Sequence, residues 1–153
     1  MNKKIITIVD YECGNIYSLL RILDKFGYKV ELTNNPDKIK NADKVILPGV
    51  GSFKTGIDNL KKNNLDDAIN FFLRRGNYIL GICLGMQLLM EKSYEFGEHK
   101  GLGLIKGEVT KLEKGQHYPV PHIGWSQIIF SNPKVENNFL YNAYSYSIRS
   151  TDG

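Results

Sequence analysis

The feature that most constrains the fold is an alternation, over the first two-thirds of the chain, between short β-branched runs and segments of helical period. This alternation is typical of parallel strands joined by helices that cover a sheet. We therefore expect an α/β fold with a doubly wound, mostly parallel sheet in the middle layer of a flavodoxin-like, three-layer arrangement. The predicted strands cover residues 4–9, 29–33, 44–47 and 78–82, and the predicted helices cover 15–26 and a segment starting at an Asp66 N-cap and ending at Gly76.

The pattern changes after Gly101, where helical periods give way to glycine, proline and alternating residues. We predict antiparallel strands near 107–112, 125–130 and 144–148 that extend or flank the sheet. At 153 residues the chain has about the length of one domain, and residues 1–153 are therefore interpreted as a single domain.

Several classes of protein are disfavoured by composition and motifs. The net charge is +4, but the lysines are scattered, whereas a nucleic-acid footprint needs a clustered basic patch. Cys13 and Cys83 are far apart and show no CxxC spacing, so we expect free thiols, no metal and no disulfide. Nucleotide-binding glycine motifs do not occur, and no cofactor is expected. With no signal peptide and no apolar run long enough to cross a bilayer, the expected location is the cytoplasm.

Cys83 is the candidate nucleophile. It stands in the run Gly81-Ile82-Cys83-Leu84-Gly85, between a predicted strand that looks buried and a helical segment that extends through Met90. This pattern is typical of a nucleophile elbow with sulfur in place of a serine hydroxyl, and a helix N-terminus favours the thiolate. The alternative is that Cys83 is a small buried apolar residue, which is the commonest fate of a free cysteine.

A second glycine-containing loop, Pro48-Gly49-Val50-Gly51-Ser52-Phe53, follows the third predicted strand. In a doubly wound sheet it should lie at the same carboxyl edge as Cys83, where such folds bind ligands. Its backbone N–H groups could stabilise an oxyanion, with the N–H of Leu84 as a second donor. The alternative is an ordinary turn between a strand and a helix.

Four motifs in this order and spacing carry a family resemblance. They are Pro48-Gly49-Val50-Gly51, Gly81 to Gln87, Gly101-Leu102-Gly103-Leu104-Ile105, and Val120-Pro121-His122-Ile123-Gly124-Trp125. Together they resemble the class I (triad-type) glutamine amidotransferases, and more narrowly the glutaminase subunit of imidazole glycerol phosphate synthase, over residues 5–148.

The resemblance implies the following roles. Cys83 would attack the side-chain amide of glutamine, and ammonia would pass to a (β/α)₈ synthase subunit of a heterodimer in histidine biosynthesis. Gly51 and Leu84 would form the oxyanion site. The residues expected to bind substrate are Gly49, Val50, Gln87, Ser145 and Tyr146, and those expected to face the partner are Asn15, His122 and Trp125.

The chain also departs from the family pattern. Glu12 replaces a glycine, and Tyr144 replaces the histidine of a His-Ser-Tyr strand. The catalytic His-Pro-Glu stretch of the family does not occur in these 153 residues. None of the three histidines, His99, His117 and His122, is expected to act as the catalytic base in its place. His99 and His117 are predicted to lie in solvent loops. We therefore expect negligible glutaminase activity from this chain alone, because a catalytic cysteine needs a base.

Two other functions stay open at this point. The chain could be a paralogous amidotransferase subunit that supplies ammonia for the modification of surface-polysaccharide sugars. It could instead be a catalytically inactive, truncated binding subunit, since the triad histidine and glutamate are absent.

Overall fold

A computed structural model describes residues 5–113, 119–129, 134 and 136–150 of the chain. Lys4, His117 and Phe130, each of which falls within a sequence prediction, lie outside the described residues. Within the described ranges, no helix is both long and apolar enough to pass through a bilayer.

The middle layer is a sheet of four parallel strands, as the alternating pattern predicts. These strands are β1 (Ile5–Val9), β2 (Lys29–Thr33), β3 (Lys44–Leu47) and β4 (Ile79–Gly81), arranged in the order β2-β1-β3-β4. The chain leaves β1 for β2 on one side and returns to β3 on the other. The carboxyl ends of β1 and β3 therefore flank the crevice in which open α/β sheets bind ligands.

Helices cover both faces of this sheet, but unequally. Helix α1 (Ile16–Lys25) lies over a small cluster of Ile6, Ile8 and Ile46. On the opposite face lie α2 (Pro36–Lys40), α3 (Phe53–Lys62), α4 (Leu65–Arg74) and the short α5 (Leu84–Leu88). The larger core is on that second face, and its fully buried side chains include Phe53, Leu60, Leu65, Ile69, Phe72, Leu84 and Leu88.

A second sheet and a hairpin follow in the glycine-rich part of the sequence. The second sheet contains β5 (Met90–Ser93), β6 (His99–Lys100), β7 (Ile105–Lys111) and β10 (Tyr146–Ser150), in the order β10-β7-β5-β6. The strands β8 (His122–Ile128) and β9 (Asn138–Tyr144) form an antiparallel hairpin. The predicted flanking strands are thus confirmed, except that β5 pairs with β7 in parallel and that the predicted strand at 144–148 is divided at Ser145.

Three local predictions were wrong. Helix α4 begins at Leu65 after a left-handed Asn64, so Asp66 lies in its first turn and is not its N-cap. Helix α5 ends at Leu88, and Met90 begins a strand, because the chain crosses there into the second sheet. Strand β4 is the edge of its sheet and is only half-buried, with Leu80 56% exposed.

Candidate active site

Cys83 lies on a sharp turn between β4 and α5. Its backbone has φ 54° and ψ −119°, a conformation that residues with a Cβ rarely adopt. Hydrogen bonds from Met86 N and Gln87 N to the Cys83 carbonyl, 3.0 and 3.2 Å long, hold this turn. The thiol is exposed. The structure therefore favours the nucleophile elbow over the alternative of a cysteine buried in the core.

The two glycines of the elbow are required by close packing. A Cβ on Gly81 would lie 2.6 Å from the Cα of Met86, and a Cβ on Gly85 would lie 1.9 Å from the carbonyl oxygen of Leu47. Both contacts are with backbone atoms, which cannot move aside as a flexible side chain could. The start of α5 thus packs directly against the end of β3, and this places Cys83 beside the loop that follows β3.

That loop lies at the carboxyl edge of the sheet, as predicted. Gly51 has φ 116°, in the region that favours glycine, and an added Cβ there would meet nothing within 4 Å. The conformation, and not crowding, therefore requires glycine at this position. The loop ends at Ser52, whose hydroxyl caps α3 by accepting a hydrogen bond from Thr55 N.

A cleft of about 460 Å³ opens above Cys83. Its lining includes seven of the residues that the sequence analysis assigned to catalysis, the oxyanion or the substrate: Val50, Gly51, Cys83, Leu84, Gln87, Ser145 and Tyr146. These residues come from three separate parts of the chain. The fold thus brings the predicted site residues together around the thiol.

Gly49 is the one predicted substrate residue that does not line the cleft. It is buried beneath the loop, where an added Cβ would lie 2.2 Å from the Tyr11 hydroxyl and 2.9 Å from Gly85 N. Gly49 therefore provides close packing beneath the cleft, and its role in substrate binding stays a prediction.

The wall formed by Ser145 and Tyr146 is tied to the elbow helix. Gln87 Nε2 donates a hydrogen bond of 3.3 Å to the Tyr146 carbonyl, and Leu112 N donates one of 2.9 Å to the Ser145 carbonyl. The ring of Tyr146 also lies 6.5 Å from that of Phe96, centroid to centroid. Gln87 thus holds the two sides of the cleft together.

Glu95 and Phe96 also line the cleft, although the polar residues around His99 predict a solvent loop there. Glu95 Oε2 accepts a 2.6 Å hydrogen bond from the backbone N–H of Phe53, at the start of α3. The local signal in the sequence is Gly97, since Phe96 and Gly97 have positive φ values of 55° and 124° and form a tight turn between β5 and β6. That turn brings the carboxylate to the rim of the cleft.

The described histidines are not among the residues that line the cleft. The Nε2 atom of His122 lies 2.8 Å from Ser126 Oγ, and its ring lies 5.4 Å from that of Tyr144. His99 pairs with Ser93 across β5 and β6, in a short strand and not in the predicted loop. Within residues 5–113, 119–129, 134 and 136–150, the cleft lining therefore contains no histidine.

The three residues predicted to face a partner lie at the surface. Asn15 is exposed before α1, and Trp125 is 70% exposed on β8, with its ring 5.7 Å from that of Tyr141 on β9. His122 is half-buried at the start of the same hairpin. One face of the hairpin is rich in apolar residues, and its members are Ile123, Trp125, Phe139 and Tyr141.

The second cysteine has a different environment. Cys13 is 8% exposed, and its Sγ accepts a 3.4 Å hydrogen bond from Asn59 Nδ2. Burial raises the pKa of the Cys13 thiol, while the Asn59 bond acts in the opposite direction. Cys13 is therefore packed in the core near the first turn, and of the two cysteines only Cys83 is exposed at the cleft.

The fold and the elbow together define a glutamine amidotransferase domain, and residues 5–119 match the family model of the CobB/CobQ-like glutamine amidotransferase domain. Two solved structures share this fold. One described as a glutamine amidotransferase has a TM-score of 0.75 at 15% identity over 96% of this chain and 76% of its own. PurLQS from Thermotoga maritima has a TM-score of 0.72 at 21% identity over 98% of this chain and 71% of its own.

The chain belongs to the family of imidazole glycerol phosphate synthase subunit HisH. It is 43% identical over 152 residues to that subunit of Bacillus subtilis (strain 168), and the matched region covers 94% of this chain and 72% of the relative. It is 44% identical over 148 residues to that subunit of Wolinella succinogenes, and the matched region covers 91% of this chain and 72% of the relative. The resemblance and the fold class inferred from the sequence are thus confirmed.

Proposed function

We propose that Cys83 is the nucleophile of a glutaminase and that the cleft above it binds the side chain of glutamine. The observation that carries this proposal is an exposed thiol on a strained turn, in a cleft lined by Gly51 and Leu84. Backbone N–H groups near a nucleophile stabilise the charge that develops on a carbonyl oxygen during acyl transfer. This is the chemistry that an amide substrate needs.

The reaction proceeds in two steps. The Cys83 thiolate adds to the side-chain carbonyl carbon of glutamine, and the negative charge on oxygen faces the N–H groups of Gly51 and Leu84. The carbon–nitrogen bond then breaks as the nitrogen takes up a proton, which leaves a glutamyl thioester and ammonia. Water attacks the thioester, releases glutamate and returns the thiol.

Glutamine also carries an ammonium group, and the cleft offers a carboxylate for it. Glu95 lies at the rim, held in place by its bond to Phe53 N. We assign it to the substrate ammonium because an oppositely charged partner orients a zwitterionic ligand. Val50, Ser145 and Tyr146 form the remaining walls, and Gln87 positions the Tyr146 side.

The base that activates Cys83 is proposed to come from outside this sequence. The described lining of the cleft contains no histidine, and the sequence lacks the His-Pro-Glu stretch of the family. In this proposal residues 1–153 form one glutamine amidotransferase domain without its triad histidine and glutamate. Loss of triad members costs several orders of magnitude in rate.

The partner is proposed to be the (β/α)₈ synthase subunit that receives the ammonia in a cytoplasmic heterodimer of histidine biosynthesis. The names of the relatives support this assignment, since each is a subunit of imidazole glycerol phosphate synthase. These relatives favour the histidine pathway over sugar modification. We assign the exposed apolar hairpin face to the partner, with Trp125 as an anchor. Asn15 and His122 are assigned to the same interface.

Glutamate release tests the proposal. The 153-residue chain and a version extended with a C-terminal segment that carries the family's His-Pro-Glu stretch are each mixed with the synthase subunit and its nucleotide ligand. We expect release from the extended version, and its loss in Cys83→Ala. An extended version with intact Cys83 that releases no glutamate would refute the glutaminase function.

The second candidate function is a non-catalytic binding subunit, which the lack of a histidine among the described lining residues favours for the chain as given. This candidate predicts that the 153-residue chain binds the synthase but releases negligible glutamate. Robust turnover by that chain alone would contradict it.

A further inference from the structure

Tyr11 connects the two strand ends at the ligand-binding crevice. It follows β1 and is 1% exposed. Its hydroxyl donates a buried hydrogen bond of 2.6 Å to the carbonyl oxygen of Pro48, the first residue after β3. The bond therefore joins the ends of the two strands between which the sheet changes direction.

The environment of Tyr11 keeps its hydroxyl protonated. Burial raises the pKa of Tyr11 well above its usual range, and the nearby thiols of Cys13 and Cys83 act in the same direction. A neutral phenol is a hydrogen-bond donor, whereas a phenolate can only accept. The hydroxyl thus stays a donor to Pro48 across the pH range in which the protein works.

The hydroxyl also sets the position of the loop backbone relative to the elbow. The site of a Cβ on Gly49 lies 2.2 Å from the Tyr11 hydroxyl and 2.9 Å from both Gly85 N and the Leu84 Cβ. The Gly49 backbone thus packs closely against both the phenol and the first turn of α5. The distance between the two proposed oxyanion donors, Gly51 and Leu84, depends on this packing.

A third contact ties Tyr11 to the helix that follows the loop. Asn59, on α3, donates from Nδ2 to the Tyr11 carbonyl oxygen at 3.0 Å. The hydroxyl of Tyr11 therefore holds the loop where it begins, and its carbonyl is bound to the helix into which the loop leads. A loop whose start and following helix are both bound to one buried residue is restricted in its movement, and pre-organised donors stabilise an oxyanion best.

We propose that Tyr11 is a positioning residue: its buried hydroxyl fixes the Pro48–Gly51 backbone at the height that stabilises the oxyanion beside Cys83. This inference rests on the proposed function, because it concerns the oxyanion of that reaction. Tyr11 itself does not line the cleft in the described structure, so it acts through the loop.

The test compares two alkylating reagents on the purified chain, with the product on Cys83 identified by peptide mass mapping. A chloroketone analogue of glutamine passes through a tetrahedral adduct with a negative oxygen when the thiolate adds to its ketone. Iodoacetamide reacts by displacement of iodide at a saturated carbon and needs no oxyanion site. The ratio of the two rates therefore reports oxyanion stabilisation separately from the reactivity of the thiol.

We expect Tyr11→Phe to slow the chloroketone about tenfold and to change the iodoacetamide rate less than about twofold. Loss of a whole oxyanion donor costs about 10²–10³ in rate, and a displaced donor should cost less. The matched control is Tyr28→Phe, which removes a hydroxyl from a half-exposed ring outside the site and should leave both rates unchanged. If Tyr11→Phe does not fold, Asn59→Ala replaces it, with an expected slowing of about threefold that is again confined to the chloroketone.

The outcomes separate this inference from the function on which it rests. If glutamine fails to protect Cys83 of the wild-type chain from the chloroketone, the glutamine site is refuted and the role of Tyr11 falls with it. If glutamine protects but Tyr11→Phe slows both reagents equally or neither of them, the positioning role alone is overturned. A shift in the melting temperature without a change in the ratio shows a merely structural tyrosine and also overturns it.

Discussion

Replacing Gly85 by alanine is expected to disrupt the contact that places Cys83 beside the oxyanion loop. The new Cβ would lie 1.9 Å from the Leu47 carbonyl oxygen and 2.7 Å from that of Pro48, at the end of β3. The same Leu47 oxygen accepts a 2.9 Å hydrogen bond from Ile82 N in the elbow. Any movement that relieves the clash must therefore weaken the connection between β3 and the elbow.

The structure gives the size of the effect. Ordinary Cβ contacts begin near 3.4 Å, so α5 and β3 must separate by about 1.5 Å. Overpacking in a rigid site costs typically 1–3 kcal/mol, and a weakened buried hydrogen bond adds about 1 kcal/mol. We expect Gly85→Ala to lower the free energy of unfolding by about 3 kcal/mol.

Urea denaturation measures this loss, and Gly76→Ala is the matched control. Gly76 has φ 80° with no atom within 4 Å of an added Cβ, so its replacement introduces backbone strain of about 1 kcal/mol without a clash. With a slope near 2 kcal/mol per molar, the midpoint of Gly85→Ala should fall by about 1.5 M and that of the control by about 0.5 M. Equal losses in the two variants, or a Gly85→Ala variant as stable as the wild type, would refute the packing argument.

Three further predictions concern the first turn, the hairpin and the thiols. Glu12 has φ 65°, so Glu12→Gly should remove backbone strain and raise the free energy of unfolding by up to about 1 kcal/mol in urea titration; a loss of stability would contradict this. Trp125→Ala should weaken binding of the synthase subunit by about 2 kcal/mol, measured by calorimetry. The control Tyr78→Ala, at the opposite end of the sheet, should leave binding unchanged, and equal effects of the two substitutions would count against the hairpin as the interface. Because burial raises the pKa of Cys13, iodoacetamide at pH 8 should label Cys83 at least about tenfold faster than Cys13; comparable labelling rates by mass mapping would be inconsistent with the described burial. For the same reason, the contribution of Cys13 to stability should be lost as the pH rises above the pKa of an unfolded thiol.

Local patterns were sufficient to predict the central sheet and the elbow. The strands 29–33 and 44–47 have the predicted bounds because β-branched runs end there at a turn or at Pro48. Gly81 was informative for the same reason, since its close contact is with Met86, which is near it in the chain. The close contact of Gly85 is with Leu47 of β3, and the sequence pattern around Cys83 indicated that glycine without showing its partner. The glycine that the family has at position 12 is also explained locally, because the backbone of Glu12 is left-handed and glycine adopts that conformation without strain.

Long-range contacts explain what the sequence missed. Glu95 reaches the cleft only because β5 pairs with β7 and carries the following turn to the start of α3, a contact 42 residues away along the chain. Helix α5 is shortened by the same pairing, which draws Met90 into a strand against Ile105. The Tyr11–Pro48 bond likewise depends on the order of the strands, which no short pattern encodes.

A crystal structure of the Cys83→Ser variant with bound glutamine tests the central claim most directly. The account predicts the glutamine side chain in the cleft, with its carbonyl carbon about 3–3.5 Å from the serine oxygen and its carbonyl oxygen facing the N–H groups of Gly51 and Leu84. The substrate ammonium should lie beside Glu95. Glutamine bound with its amide directed away from residue 83, or excluded from the cleft at saturating concentration, would contradict the account.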